Sequence, residues 1–129
     1  MDAVSASRVI DRALQSPVQD VVTGRPVHVI AVGKAAAAMA AAFLARRHLQ
    51  VRRALAIGTH THPELPASVE WIESSHPFPD ARSQAAGERA IAVAQGVHSG
   101  DALVILLSGG ASALMAAPIE GISLADKIA

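Results

Sequence analysis

Ala102-Leu103-Val104-Ile105-Leu106-Leu107-Ser108-Gly109-Gly110-Ala111-Ser112 decides the fold. The chain breaks at Gly100 and then runs through six aliphatic residues without a polar interruption. Such a run is expected of a parallel strand covered on both faces. Ser108 to Ser112 reads as a tight turn into a second short helical stretch, since glycines let the backbone reverse at little steric cost.

Working outward, the same strand-then-turn pattern recurs upstream. Gly24-Arg25-Pro26 is a turn signal, Val27 to Val32 is a short β-rich run, and Gly33 bounds it. Lys34 to Arg47 follows at once, alanine-rich and apolar nearly all round, and reads as a largely buried helix. Arg52 to Thr59 is expected to form a strand and Val69 to Ser75 another, separated by a loop holding Pro63 and Pro66. Ala81 to Val97 is the clearest helix, with Ala86, Ala90, Val93 and Val97 on one face and Asp80 placed as its N-cap. Ahead of all these, Ala6, Ile10, Ala13 and Leu14 recur at helical spacing from Ala3 to Gln15, and Pro17 ends that helix. The order α-β-α-β-β-α-β specifies an α/β fold, a Rossmann-like layered sandwich with a largely parallel sheet. Near the end, Ser123-Leu124-Ala125-Asp126 is a capping box announcing one more helix. A helix that short needs tertiary support, so the sheet is expected to be incomplete and the chain to be a piece of something longer.

Composition excludes several functions. Of the 129 residues 51% are hydrophobic and 17% charged, which is globular. Much of the apolar share is alanine, with two Phe, one Trp and no Tyr, so the core is made of small and aliphatic side chains and stability is expected to be modest. Net charge is zero and the basic residues are scattered, which argues against nucleic acid. No cysteine is present, ruling out disulfides and thiolate chemistry and fitting the cytoplasm. No signal peptide is visible, and no apolar run reaches the ~18 residues of a membrane span.

Three segments could carry chemistry. Gly33-Lys34 lies where a strand gives way to a helix, and open α/β sheets bind ligands at the carboxyl ends of their strands. A cation at a helix N-terminus is disfavoured by about 0.3–1 kcal/mol. Lys34 therefore either meets a phosphate or carboxylate, helped by backbone N–H groups, or holds its head in water. Ser108-Gly109-Gly110-Ala111-Ser112 is either a second anion-friendly loop on the same sheet edge or an ordinary turn. His76-Pro77-Phe78-Pro79-Asp80 is either a stiff wall of that cleft, with His76 held extended by the prolines, or a turn leading into the next helix with Asp80 as cap. His60 and His62 could face one side of an extended segment, but no third metal ligand is near in sequence, and a solvated loop is the simpler reading. Neither a P-loop nor a GxGxxG fingerprint is present.

Together these motifs carry a resemblance. Val32-Gly33-Lys34-Ala35-Ala36 with Met39-Ala40, then His76-Pro77-Phe78-Pro79-Asp80, then Leu107-Ser108-Gly109-Gly110-Ala111-Ser112-Ala113-Leu114, then Pro118 and Gly121 to Lys127, resemble the glycerate 2-kinase family in order and spacing over nearly the whole chain. Members often bear the name hydroxypyruvate reductase. The resemblance implies transfer of the ATP γ-phosphoryl group to the 2-hydroxyl of D-glycerate with a divalent metal such as Mg2+, in a cleft between two α/β domains. Residues 1–129 would be the N-terminal domain, lacking the second domain. Lys34 would be the catalytic residue, and Gly33, His76, Asp80, Ser108, Gly109, Gly110 and Ser112 would line the substrate or nucleotide side. No metal ligands are read in the chain, and alone it is expected to be inactive. Two positions depart from the family pattern: Ala111 and Ser75 stand where glycine is usual, and a methyl at 111 would crowd a ligand or demand other backbone angles. An NAD(P)H-dependent reductase and a non-catalytic α/β binding module are the alternatives.

Overall fold

The computed structural model describes residues 3–15, 17–59 and 63–128, so His60 and His62 lie outside the described residues. Its elements are α1 (Ala3–Leu14), α2 (Val18–Val22), β1 (Pro26–Val32), α3 (Ala36–Leu44), β2 (Gln50–Gly58), β3 (Val69–Glu73), α4 (Ala81–Gln95), β4 (Ala102–Leu107), α5 (Ala111–Leu114) and α6 (Leu124–Ile128). The four strands form one sheet in the order β3-β2-β1-β4, and every pairing is parallel.

Two apolar layers sandwich the sheet. On one face Val27, Val29 and Ala31 of β1 and Ala54 and Ala56 of β2 pack with Ala6 and Ile10 of α1 and with Ala36, Met39, Ala40 and Phe43 of α3. On the other, Ile30, Val32, Leu55 and Ile57 meet Ala86, Ala90 and Val93 of α4 and Leu114 of α5. The alanines let helices lie close to the strands, which suits a core with few large side chains. The chain passes from β1 to β2 through α3 on one face, and from β3 back across to β4 through α4 on the other. Opposite directions on opposite faces give both crossovers the same hand, in keeping with the handedness rule for parallel units.

Three sequence expectations change. Lys34 and Ala35 belong to a turn rather than to α3, which starts at Ala36 and ends at Leu44 instead of Arg47. The five-residue α2 gives no periodic signal of its own. Most consequentially, β4 is not covered on both faces. It is an edge strand, and Ile105 and Leu107 are 53% and 63% exposed. An unbroken aliphatic run identifies a strand but not the number of layers upon it.

Polar ties fix the sheet at its sides. His28 on β1 is buried and Asp101 ahead of β4 is partly buried, with His28 Nε2 2.9 Å from Asp101 Oδ2. That hydrogen bond is the main reason the Asp101 carboxyl is held below the usual carboxylate range. At the other edge, Arg89 of α4 donates from Nε and Nη2 to the two carboxylate oxygens of Glu70 on β3, each at 2.6 Å. The paired guanidinium lowers the Glu70 pKa.

Candidate functional site

The strand order places a topological switch point between β1 and β4, because the connections leave these neighbours toward opposite sides of the sheet. Ligands of open α/β sheets bind outside the carboxyl ends of strands at such a point. Val32 and Leu107, the last residues of the two strands, are register partners. Gly33-Lys34 and Ser108 to Ser112 therefore emerge side by side.

The two loops interlock. Ser108 N–H donates to Val32 O at 2.9 Å, and Lys34 N–H donates to Gly109 O at 2.9 Å. Ala35 N–H donates to Ser108 Oγ at 3.0 Å. Gly33 is buried with φ 124°, and a Cβ there would strike Ser108 Oγ and stand 2.6 Å from the Ser108 carbonyl oxygen. Only glycine satisfies both the angle and the space.

This interlock changes the expected role of the backbone. The N–H groups of Lys34 and Ala35 are committed to the Ser108-Gly109 loop, and that of Ala36 donates to Gly33 O at 3.0 Å. These donors are therefore occupied by the protein itself. The group left facing outward is the Lys34 ammonium, since its side chain is exposed and has no ion pair among the described residues. The loop is a rigid mount for a cation.

The third motif joins from the far edge of the sheet. After β3 the segment 74–80 turns back over the strand ends. Ser74 N–H donates to Gly58 O at 2.8 Å, and Ser74 Oγ donates to the Leu114 carbonyl at 2.7 Å. His76, joined to Pro77 by a cis peptide, then lies against Gly110. A Cβ on Gly110, whose φ is 90°, would stand 2.7 Å from His76 Cδ2. Ala111 is the first residue of α5, so the left-handed angle falls at Gly110, and the methyl at 111 requires no special backbone geometry.

Asp80 is the N-cap of α4. Its carboxylate accepts from Arg82 N–H at 2.8 Å, while Asp80 N–H donates to the buried Ser83 Oγ at 3.2 Å. The Asp80 carboxyl is held below the usual range, first by the Ser75 hydroxyl and then by the Arg82 N–H and guanidinium. Ser75 Oγ is buried and has no partner within ordinary hydrogen-bond geometry, so its action on Asp80 is that of an oriented dipole nearby. Thr59, Glu73, His76, Asp80 and Arg82 border an open cleft of about 410 Å³. Ser112 is exposed, with its carbonyl accepting from Lys127 Nζ at 3.0 Å.

Among the described residues, Gly33, Lys34, His76, Asp80, Ser108, Gly109, Gly110 and Ser112 follow the carboxyl ends of the strands. Lys34 with Gly33, Ser108 and Gly109 forms one cluster, and His76 with Gly110 another. Asp80 and Ser112 stand at their margins. The buried hydroxyls of Ser74 and Ser83 and the rim guanidinium of Arg82 were not legible as site residues. Ser83 is three residues after an N-cap aspartate, which was the signal for it. Among the described residues no group of three or more His, Asp or Glu could hold a metal ion.

The profile of a family described as Domain of unknown function (DUF4147) matches residues 1–129. The chain belongs to this family. The chain is similar to a glycerate 2-kinase of Pyrococcus horikoshii, 38% identical over 100 residues that make up 78% of this chain and 22% of the relative. A putative hydroxypyruvate reductase of Agrobacterium vitis is 37% identical over 99 residues, 77% of this chain and 23% of that protein. In structure the chain is similar to the crystal structure of glycerate kinase from Thermotoga maritima, with a TM-score of 0.76 and 29% identity over 96% of this chain and 30% of that one. The chain spans about a quarter of the length of the curated relatives it matches. The α/β class with a parallel sheet agrees with that structural likeness.

Proposed function

We propose that this chain forms the N-terminal α/β domain of an ATP-dependent glycerate 2-kinase and supplies one wall of its cleft. The observation that carries the reading is the mounting of Lys34. Its ammonium is held out at the β1–β4 switch point by a turn whose N–H groups are already bonded to the neighbouring loop. Phosphoryl transfer depends on positioning and on neutralising charge that spreads over the transferred group. A lysine carried on a braced backbone turn can do both for a phosphate oxygen, and relatives named glycerate 2-kinase support D-glycerate as acceptor. In this reading Gly109, whose Cβ position is open, lets a ligand approach the backbone, and His76 with Gly110 closes the side of the site. Gly33 and Ser108 hold the lysine's turn. Asp80 and Ser112 border the ligand from the rim. The reaction calls for Mg2+, but the described residues do not form a metal site, so no step is assigned to a metal within this chain.

Activity then requires the part of the protein that the relatives have beyond this match. The 129-residue chain alone is expected to form no 2-phosphoglycerate from ATP and D-glycerate. Substituting it for the matching region of the Thermotoga maritima D-glycerate 2-kinase should preserve ATP-dependent turnover. In that chimera Lys34→Ala should lower kcat/KM by about 100-fold or more, the scale of a lost charge-stabilising group. Unchanged turnover in Lys34→Ala would rule the reading out.

The name borne by the Agrobacterium vitis relative favours a second reading, an NAD(P)H-dependent reductase. Dinucleotide folds seat the pyrophosphate on free N–H groups of a glycine-rich first turn. Here the corresponding N–H groups of Lys34 to Ala36 are bonded internally. Oxidation of NADH or NADPH by hydroxypyruvate in the chimera, without ATP-dependent product, would favour the reductase instead.

A further inference from the structure

The sequence has two phenylalanines, used in opposite ways. Phe43 is in the core at 1% exposure, whereas Phe78 is 74% exposed, more than any other large apolar side chain among the described residues. A lone exposed apolar residue is ordinary on a surface. Phe78 is set apart by its place. It lines the cleft of about 410 Å³, and Pro77 and Pro79 restrict the backbone on either side of it. An aromatic ring is thus presented on a stiff segment at the wall of a cavity.

The rest of that cleft is acidic. Glu73 and Asp80 both line it, and the Arg82 guanidinium lies 3.8 Å from Glu73 Oε1 and 3.3 Å from Asp80 Oδ2. These contacts are loose beside the 2.6 Å bonds that Arg89, on the same helix, makes to Glu70. Two carboxylates against one guanidinium give an excess of negative charge. Such a surface repels polyphosphate and the carboxylate of an acceptor. It suits a neutral group bearing hydroxyls, because each carboxylate has about four acceptor sites and can take further donors.

Position orders the two halves of a nucleotide. The cleft follows β3 and Lys34 follows β1, two strand spacings or about 10 Å across the sheet. His76 belongs to both regions, lining the cleft and lying against Gly110. A triphosphate chain can bridge that interval, with its charge toward the Lys34 ammonium and its sugar toward the carboxylates.

We propose that the cleft formed by residues 73–82 holds the nucleoside of the phosphate donor. The base stacks on Phe78. The ribose hydroxyls donate to Glu73 and Asp80, as an acidic residue receives the ribose in dinucleotide folds. The assignment rests on the kinase reading and deepens it by naming the wall that takes each part of the donor.

The test uses the chimera with the Thermotoga maritima D-glycerate 2-kinase. Equilibrium binding of adenosine and of inorganic triphosphate is read separately. Phe78→Ala should weaken adenosine by about fivefold or more, the low end of aromatic–base stacking, and Phe78→Trp should restore it. Glu73→Gln should also weaken adenosine. None of these variants should weaken triphosphate, and Lys34→Ala should do the converse. In turnover, Phe78→Ala should raise the KM for ATP and leave that for D-glycerate unchanged. Because Phe78 is exposed, its removal leaves the core intact. Adenosine binding unaffected by Phe78→Ala, or a KM increase for D-glycerate alone, would overturn the proposal. The kinase reading would then still stand on the turnover of Lys34→Ala. Normal turnover in Lys34→Ala would remove the kinase reading alone, and the adenosine measurements would still uphold or overturn the cleft as a nucleoside site.

Discussion

Gly33 and Ser108 show how one atom governs the candidate site. The turn after β1 can approach the loop after β4 only because residue 33 lacks a Cβ, and the approach is then sealed by the Ala35 N–H bond to Ser108 Oγ. Gly33→Ala combines a left-handed φ with a collision against backbone, mechanisms that each cost about 1–3 kcal/mol. We expect a loss of at least 2 kcal/mol in denaturant unfolding, on the order of that strain. Ser108→Ala removes one neutral hydrogen-bond acceptor, and the expected loss is about 1 kcal/mol. In the double variant the two losses should fall short of additive, because one contact carries both. Strict additivity would show that the loops do not brace each other. The residues of this lock were legible as two separate motifs. Their mutual contact was not, since nothing in a linear sequence says that residue 33 and residue 108 share one ångström-scale boundary.

At the scale of elements, the segment 74–80 and α4 form one unit with the site. Asp80 caps α4, and Ser83 closes the reciprocal bond while Ser74 binds the Leu114 carbonyl. Asp80→Ala should lower the thermal midpoint and speed amide exchange in the first turn of α4. Asp80→Asn, which keeps an acceptor, should recover most of that loss. If neither variant alters first-turn exchange, the cap contributes nothing. Where local chemistry sets the element, the sequence was sufficient: the aspartate cap, the apolar face through Ala86, Ala90 and Val93, and the β1 run all appear where their patterns put them. Where neighbours set it, the sequence was silent. The start of α3 is displaced to Ala36 by hydrogen bonds from a loop far along the chain. The exposure of Ile105 and Leu107 depends on how many layers cover β4, which an aliphatic run does not encode. The return of His76 to Gly110 crosses the whole sheet and has no local signature.

Across the whole molecule, carboxylates stitch the layers together, and this sets its response to acid. Glu70 joins β3 to α4 through Arg89, Asp101 joins the turn before β4 to His28 on β1, Asp80 caps α4, and the Asp126 carboxylate accepts from Ser123 N–H and Oγ at the start of α6. All four carboxyls are held below their ordinary range, Glu70 chiefly by the Arg89 hydrogen bonds, Asp101 by that of His28, Asp126 by those of Ser123, and Asp80 by the nearby Ser75 hydroxyl and the Arg82 N–H. A group whose folded pKa is depressed adds stability above its unfolded pKa, about 4 for Asp and Glu. That stability is lost as pH falls through the lower folded value. The contribution of these carboxylates should therefore hold steady down to about pH 5, then weaken progressively below about pH 4. A core built mostly of small side chains leaves little reserve against that loss. Trp71, the one tryptophan of the sequence, sits on β3 against Gly58 and reports the transition by fluorescence. Asp101→Asn removes the charge from the most buried of these links, so its unfolding curve should be displaced at pH 7 and converge on that of the parent as pH falls. Curves separated equally at both pH values would mean that Asp101 acts through shape alone, and that the acid response belongs to the other three carboxylates.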